Sequence, residues 1–346
     1  MSKFRVAISG DLLKDDGTPA IPEFDLSRLE READVEYAYV GRGPVLDAGE
    51  LEDFDALILM MPRFAPASVP KSGRLAVVAR GGVGYDTVDV AACTEAGIAL
   101  VITPDAVRRP VAVMVITFML ALSGHLFALD RITRKGPWRA RTDYMGVGLI
   151  GRTFGQIGIG NIGAETLRLA RPFGLELIAH DPYVDPSIAK DLGVRLVDME
   201  TVFRDSDFLS VSCPLNDETR GLVNARRLAL MKPTAFLINT SRGPVVDQRA
   251  LTDALRRRAI AGAGLDVLEK EPPDPADPIL TLDNVIVTPH ALCWTDQMFA
   301  TMAEKDIDAC LAVMRGRAPQ NVVNKAVLDS PRFTDKLTAY RNAFGK

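Results

Sequence analysis

Ten short apolar runs, separated by stretches of helical spacing, limit what this 346-residue chain can fold into more than any other feature. Four fall early, at residues 5–8, 56–61, 75–79 and 99–102, and six follow at 154–159, 177–180, 208–213, 235–239, 261–266 and 285–287. Runs this short and continuously apolar suit strands covered on both faces. Their alternation with helices predicts an α/β chain with doubly wound parallel sheets. Two longer helical candidates, 111–129 and 295–315, flank the later runs and read as crossings between domains. The expected division is a domain of residues 1–110 with 298–346 and an inserted domain of 111–297, because a chain this long exceeds what one core usually organises. The polar tail after Pro331 is expected to fray or to lie on the surface.

Gly158, Gly160 and Gly163, with Asn161 and Ile162 between the last two, form a GxGxxG string that follows one of these runs and opens a helical stretch. In that setting the first glycine permits a tight turn, the second lets backbone approach a pyrophosphate, and the third lets helix and strand pack closely. The helix start adds unpaired N–H groups and a positive dipole end. A purely structural glycine turn is the competing reading. Asp181 stands 18 residues beyond Gly163, at the end of the run 177–180. A carboxylate there accepts from ribose hydroxyls and repels a 2′-phosphate, which selects NAD over NADP. His180 beside it reads as a strand-end packing residue.

Composition narrows the setting. With 47% hydrophobic and 25% charged residues the chain is not a disordered one. A net charge of −4 offers no field to gather nucleic acid or an anionic membrane, so neither is expected as a partner. The opening MSKFRVAISG lacks the pattern of a secretory signal. The longest apolar run, 111–122, has about a dozen residues against the roughly 30 Å of a hydrocarbon core, and reads as a buried helix. Cys93, Cys213, Cys293 and Cys310 show neither disulfide nor metal spacing, so a reducing cytoplasm is expected and no metal.

Motifs along most of the chain resemble the D-isomer-specific 2-hydroxyacid dehydrogenase family. They are RGGVGYDTVD at 80–89, GQIGIGNIG at 155–163, HDPY at 180–183, PLNDETRGLV at 214–223, NTSRGPVVD at 239–247, AGLDVLEKEP at 263–272 and TPH at 288–290. The resemblance implies two Rossmann-like domains around a cleft, the NAD domain inserted in a flavodoxin-like substrate domain, usually in a homodimer. It implies hydride exchange between NAD(H) and a small D-2-hydroxy acid or 2-keto acid. It further implies catalytic roles for Arg242, Glu271 and His290, and cofactor contacts at Cys213, Pro214, Thr240 and Asp266 beside the glycine loop. Backbone N–H groups at Gly82, Val83 and Gly84 would hold the substrate carboxylate together with Arg242.

Each implied role has a physical reason. A planar guanidinium holds a carboxylate by paired hydrogen bonds and polarises the carbonyl being reduced. Arg242 follows the run 235–239, at the strand end where open sheets place ligands. An imidazole with an ordinary pKa of about 6.5 exchanges the hydroxyl proton in either direction. A carboxylate such as Glu271 against one ring nitrogen fixes the tautomer. Taken alone, His290 reads as structural, Glu271 as a solvated acid, and Asp266 as either structural or close to the nicotinamide.

The chain departs from the family at Val113, where a glutamate is common after the Val-Ala pair, and at Cys293, where glycine is common. Met60, Met61, Arg63, Phe64 and Trp294 are candidates for the substrate pocket, with core or loop roles as the alternative. Two other functions stay open: an NAD(H)-sensing protein of the corepressor kind, and a phosphite dehydrogenase.

Overall fold

The computed structural model describes residues 3–345, and the chain divides into two compact units, Met1–Val107 with Thr295–Lys346 and Arg108–Trp294. In the first unit, β1 (Phe4–Ser9), β2 (Val35–Val40), β3 (Ala56–Leu59), β4 (Val77–Arg80) and β5 (Ala99–Ile102) form a sheet in the order β2-β1-β3-β4-β5. Every pairing is parallel, which is the flavodoxin-like arrangement. Leu59 pairs with Arg80 and Arg80 with Ile102, so three strands finish level at their carboxyl ends. Leu57, Leu59, Val78 and Leu100 pack with Phe54 and Phe64 in the core of this unit.

The second unit carries β6 (Thr153–Ile157), β7 (Glu176–His180), β8 (Arg195–Leu196), β9 (Phe208–Val211), β10 (Phe236–Asn239), β11 (Gly262–Leu265) and β12 (Val285–Val287). Their order is β12-β11-β10-β9-β6-β7-β8, again wholly parallel. The order reverses between β6 and β9, the switch point at which such sheets take ligands beyond the carboxyl ends of their strands. Register aligns Ile157 with Val211, Val211 with Asn239, Asn239 with Leu265 and Leu265 with Val287. One residue further along each strand stand Gly158, Ser212, Thr240, Asp266 and Thr288, a single row on one edge.

Two strands escape the expected set. Strand β2, VEYAYV, has Glu36 and two tyrosines and is only half covered at the sheet edge, so it lacks a continuous apolar run. Strand β8 is two exposed residues at the other edge. The helix expected at 111–129 is in fact two, Pro104–Ser123 and Leu126–Lys135, broken at Gly124 and at His125 in a left-handed conformation. It also begins before Pro110, which lies inside the helix rather than opening it. At 20 residues the first helix is long and apolar enough to cross a membrane, but 67% of its most apolar window is buried in the protein. Its Phe118 ring lies where a side chain at Gly264 of β11 would stand, so only glycine admits this packing.

The second expected helix forms as Asp296–Met314, capped by the Thr295 hydroxyl. The tail after Pro331 does not fray. It is the helix Pro331–Phe344, seated by buried Phe333, by Tyr340 donating to Asp55, and by Lys336, whose Nζ donates to the carbonyls of Leu75, Ala96 and Gly97.

Candidate active site

The glycine string turns directly from β6 into the helix Asn161–Ala170. Gly158 has φ 89°, and a Cβ there would lie 2.9 Å from the Ser212 carbonyl oxygen. A side chain at Gly163 would run into the Gly158 carbonyl. These two glycines serve the fold. Gly160 differs: a Cβ built on it meets nothing within 4 Å, and no side chain caps the helix that starts there. An open approach to uncapped N–H groups is what an anionic group needs. Nearby, the buried hydroxyls of Ser212 and Thr240 have no hydrogen-bond partner. Open backbone and unsatisfied hydroxyls on one strand edge fit a polar ligand such as a dinucleotide.

Asp181 follows β7 and reaches back to this turn. Its Oδ2 accepts from Ile159 N–H at 2.7 Å, while Oδ1 accepts from Tyr183 and Val184 N–H at 2.8 and 3.1 Å. His180 behaves as expected, its Nδ1 lying 3.0 Å from the Val197 carbonyl. Cys213 is partly buried, and burial pushes its thiol up to about 11. Pro214 is exposed, its carbonyl accepting from the Thr219 hydroxyl.

Farther along the edge, His290 Nδ1 lies 2.9 Å from Glu271 Oε2. Burial raises the Glu271 carboxyl. The hydrogen bond and charge of His290, the Leu268 N–H and the charge of Arg242 outweigh it and hold the group below its ordinary 4.5. An ionised carboxylate only accepts, so Nδ1 carries the hydrogen and Nε2 is the nitrogen left to gain or lose a proton. His290 has φ 56°, uncommon for a residue with a side chain. Asp266 imposes it: its carbonyl accepts His290 N–H, and its Oδ1 takes the Thr288 hydroxyl and the N–H groups of Ala291 and Leu292.

Arg242 leaves β10 in extended conformation, its Nη1 donating to the Ser241 carbonyl and its own carbonyl accepting from buried Asn239. Gly243 then presses against the Leu268 carbonyl, where no Cβ fits. The loop bearing Arg242 therefore lies on the loop bearing Glu271. The charge that Arg242 exerts on Glu271 follows from that packing.

A family model, D-isomer specific 2-hydroxyacid dehydrogenase, NAD binding domain, matches residues 116–291. The chain belongs to that family. A glyoxylate reductase of Korarchaeum cryptofilum is 36% identical over 319 residues, covering 90% of this chain and 96% of the relative. A D-3-phosphoglycerate dehydrogenase of Methanocaldococcus jannaschii is 35% identical over 89% of this chain, which spans 58% of that longer protein. The crystal structure of a glyoxylate reductase from Paecilomyes thermophila superposes with TM-score 0.80 at 26% identity, covering 94% of this chain and 99% of that one. The protein is an NAD-dependent oxidoreductase acting on CH–OH groups.

In the dehydrogenase's first unit, the string from Gly82 to Gly84 follows β4. Gly82 has φ 110°, and its N–H is already taken by the Thr103 hydroxyl at 2.7 Å. Of the three backbone donors expected here, Gly82 N–H is therefore engaged within the fold. Among the pocket candidates, Phe64 is fully buried in the core, Met60 is buried with its sulfur against Gly81, and Met61 is exposed. Trp294 is half exposed, and so is Val113 on its helix. Cys293 is no reactive thiolate: burial and the Asp266 charge push it up to about 12. Sequence reasoning missed Ser212, Gly243 and Gln248. Gln248 clamps the loop carrying Glu271 by donating to Asp277 and accepting from Glu269 N–H. Only Gly243, inside the SRGP string, left a legible trace.

Proposed function

We propose that this dehydrogenase interconverts a small 2-keto acid of the glyoxylate type and its 2-hydroxy acid, with His290, Glu271 and Arg242 as its working groups. The observation that carries the proposal is the 2.9 Å contact between His290 Nδ1 and Glu271 Oε2, formed within reach of the Arg242 charge. NADH, when bound along the glycine edge, supplies the hydride. Arg242 holds the substrate carboxylate and polarises the carbonyl, and His290 Nε2 delivers the proton to the oxygen while Glu271 stabilises the imidazolium. Asp266 acts by fixing the His290 loop. The inserted unit serves as the NAD domain, and the backbone N–H groups of Val83 and Gly84 serve as substrate donors. Asp181 favours NAD over NADP by its negative charge.

A small substrate is favoured by the similarity to glyoxylate reductases over almost their whole length. The enzyme works as a homodimer, a reading supported by exposed Leu126, Phe127, Trp138, Met145 and Ile150 in one segment of the second unit. Its four unpaired cysteines suit a cytoplasm. NADH oxidation with a panel of 2-keto acids tests the activity. Turnover fastest with glyoxylate or a near homologue supports it. Flat traces despite tight NADH binding would make the protein a dinucleotide sensor, and NAD reduction by phosphite would replace the substrate class.

A further inference from the structure

Under the glycine turn lies a buried amide that none of the chemistry above uses. Gln156, in the central strand β6, is fully buried, and burying an amide costs stability unless its ends find partners. Its Nε2 donates to the carbonyls of Ile157 and Gly158, both at 3.2 Å, while its Oε1 has no hydrogen-bond partner among the described residues. Two carbonyls can be met only by an NH2 group, which fixes the amide with its nitrogen toward the turn. The Ile157 carbonyl already accepts from Ser212 N–H at 2.9 Å, so the contact with Gly158 is the one that matters more. The Gly158 carbonyl and the Ile159 N–H belong to one trans peptide, which points them in opposite directions. Ile159 N–H donates to Asp181 Oδ2 at 2.7 Å. Gln156 therefore grips this peptide on one side, from within the sheet, and Asp181 grips it on the other, from the end of β7.

We propose that Gln156 is a positioning residue for the cofactor. By fixing the Gly158–Ile159 peptide it holds Asp181 where the ribose hydroxyls reach it and keeps the uncapped helix start after Gly160 aimed at the phosphates. This role rests on Asp181 serving as the ribose acid, as proposed above. A side chain that only filled space would leave the peptide held on one side and free to tilt away from Asp181.

The test titrates NADH and NADPH into the native enzyme, Gln156→Leu, Gln156→Met, Asp181→Ala and the double variant Gln156→Leu with Asp181→Ala. Leucine and methionine fill the space of the glutamine without a donor, and methionine bends to fit if leucine prevents folding. Either is expected to raise the Kd for NADH about three- to tenfold and to narrow the gap between NADH and NADPH. The keto-acid KM at saturating NADH should stay native. Ser210→Ala is the control: Ser210 pairs with Gln156 in register and carries another unpartnered buried group, yet it does not touch the turn. Native cofactor affinity in both Gln156 variants would overturn the proposal, and so would an equal loss in Ser210→Ala, which would assign the effect to a loosened core. In the double variant the loss should be smaller than the product of the two single losses, because both side chains hold one peptide. A full product would break the link between Gln156 and Asp181. If Asp181→Ala keeps both affinities native, the reading of Asp181 falls. If it weakens NADH binding while the Gln156 variants do not, the role of Gln156 alone is lost.

Discussion

The turn at Gly158–Gly163 and the loop at Thr288–Leu292 leave the same edge of one sheet, yet they are built on opposite principles. The first works by leaving side chains out. Gly158 and Gly163 make room for backbone, and Gly160 keeps the approach open. The second works by adding side chains that hold one another: Asp266 fixes the backbone of His290, and Glu271 fixes its ring. A steric need is local and shows in a short string of sequence. An electrostatic need is met by partners far apart in the chain.

The largest effect expected from breaking this contrast is at His290. His290→Gln keeps the ring's approximate volume and removes the proton carrier, so kcat should fall by about 10²–10⁴-fold. The glycine turn is untouched, and the Kd for NADH, followed by fluorescence titration, should stay native. Unchanged turnover would remove the imidazole from the chemistry. A matching loss of NADH binding would mean that the two loops are one device.

Asp181 stands between the two styles, a side chain that fastens the glycine turn through Ile159 N–H. Asp181→Ala should weaken NADH binding about ten- to a hundredfold, the range expected from losing charge-assisted hydrogen bonds. Discrimination against NADPH should relax at the same time. Titration of both cofactors checks this. An equal loss for both would assign Asp181 to holding the turn and not to choosing the cofactor.

That intermediate standing explains which features are legible in the sequence. The parallel strands of both cores were legible because strands covered on both faces are short and apolar, and β2 was hidden because its edge position tolerates Glu36 and two tyrosines. The tight geometry of the glycine turn was legible from spacing. Arg242, Glu271 and His290 are spread over 48 residues, and nothing but resemblance joined them. Strand register and the close contact of Gly243 with Leu268 bring their loops together. The left-handed His290 leaves no trace in composition, since an ordinary residue there is held by the distant Asp266 carbonyl.

Within the glycine turn the contrast can be sharpened by two equal changes. Gly163→Ala drives a methyl into the Gly158 carbonyl and should cost about 1–3 kcal/mol, a fall of several degrees in melting temperature. Gly160→Ala, with open space around it, should leave the melting temperature native and weaken NADH binding. If both lower stability alike, Gly160 belongs to the fold and the open approach is not the cofactor's.

The smallest expected effect concerns acid. Because Glu271 sits below its ordinary 4.5 in the native chain, the unfolded chain takes up this proton first as pH falls. Its stabilising contribution is therefore complete above 4.5 and is lost as pH drops through the lower native value. The side chain is 37% exposed, so water screens the pair and the contribution is small. Native enzyme and Glu271→Gln should differ by about 1–2 °C in melting temperature near pH 6, with the gap closing as pH falls below the ordinary 4.5. Calorimetry across that range decides. A gap that stays constant would mean Glu271 holds His290 by shape and hydrogen bonding alone, and the acid–base loop would then be built more like the glycine turn than its charges suggest.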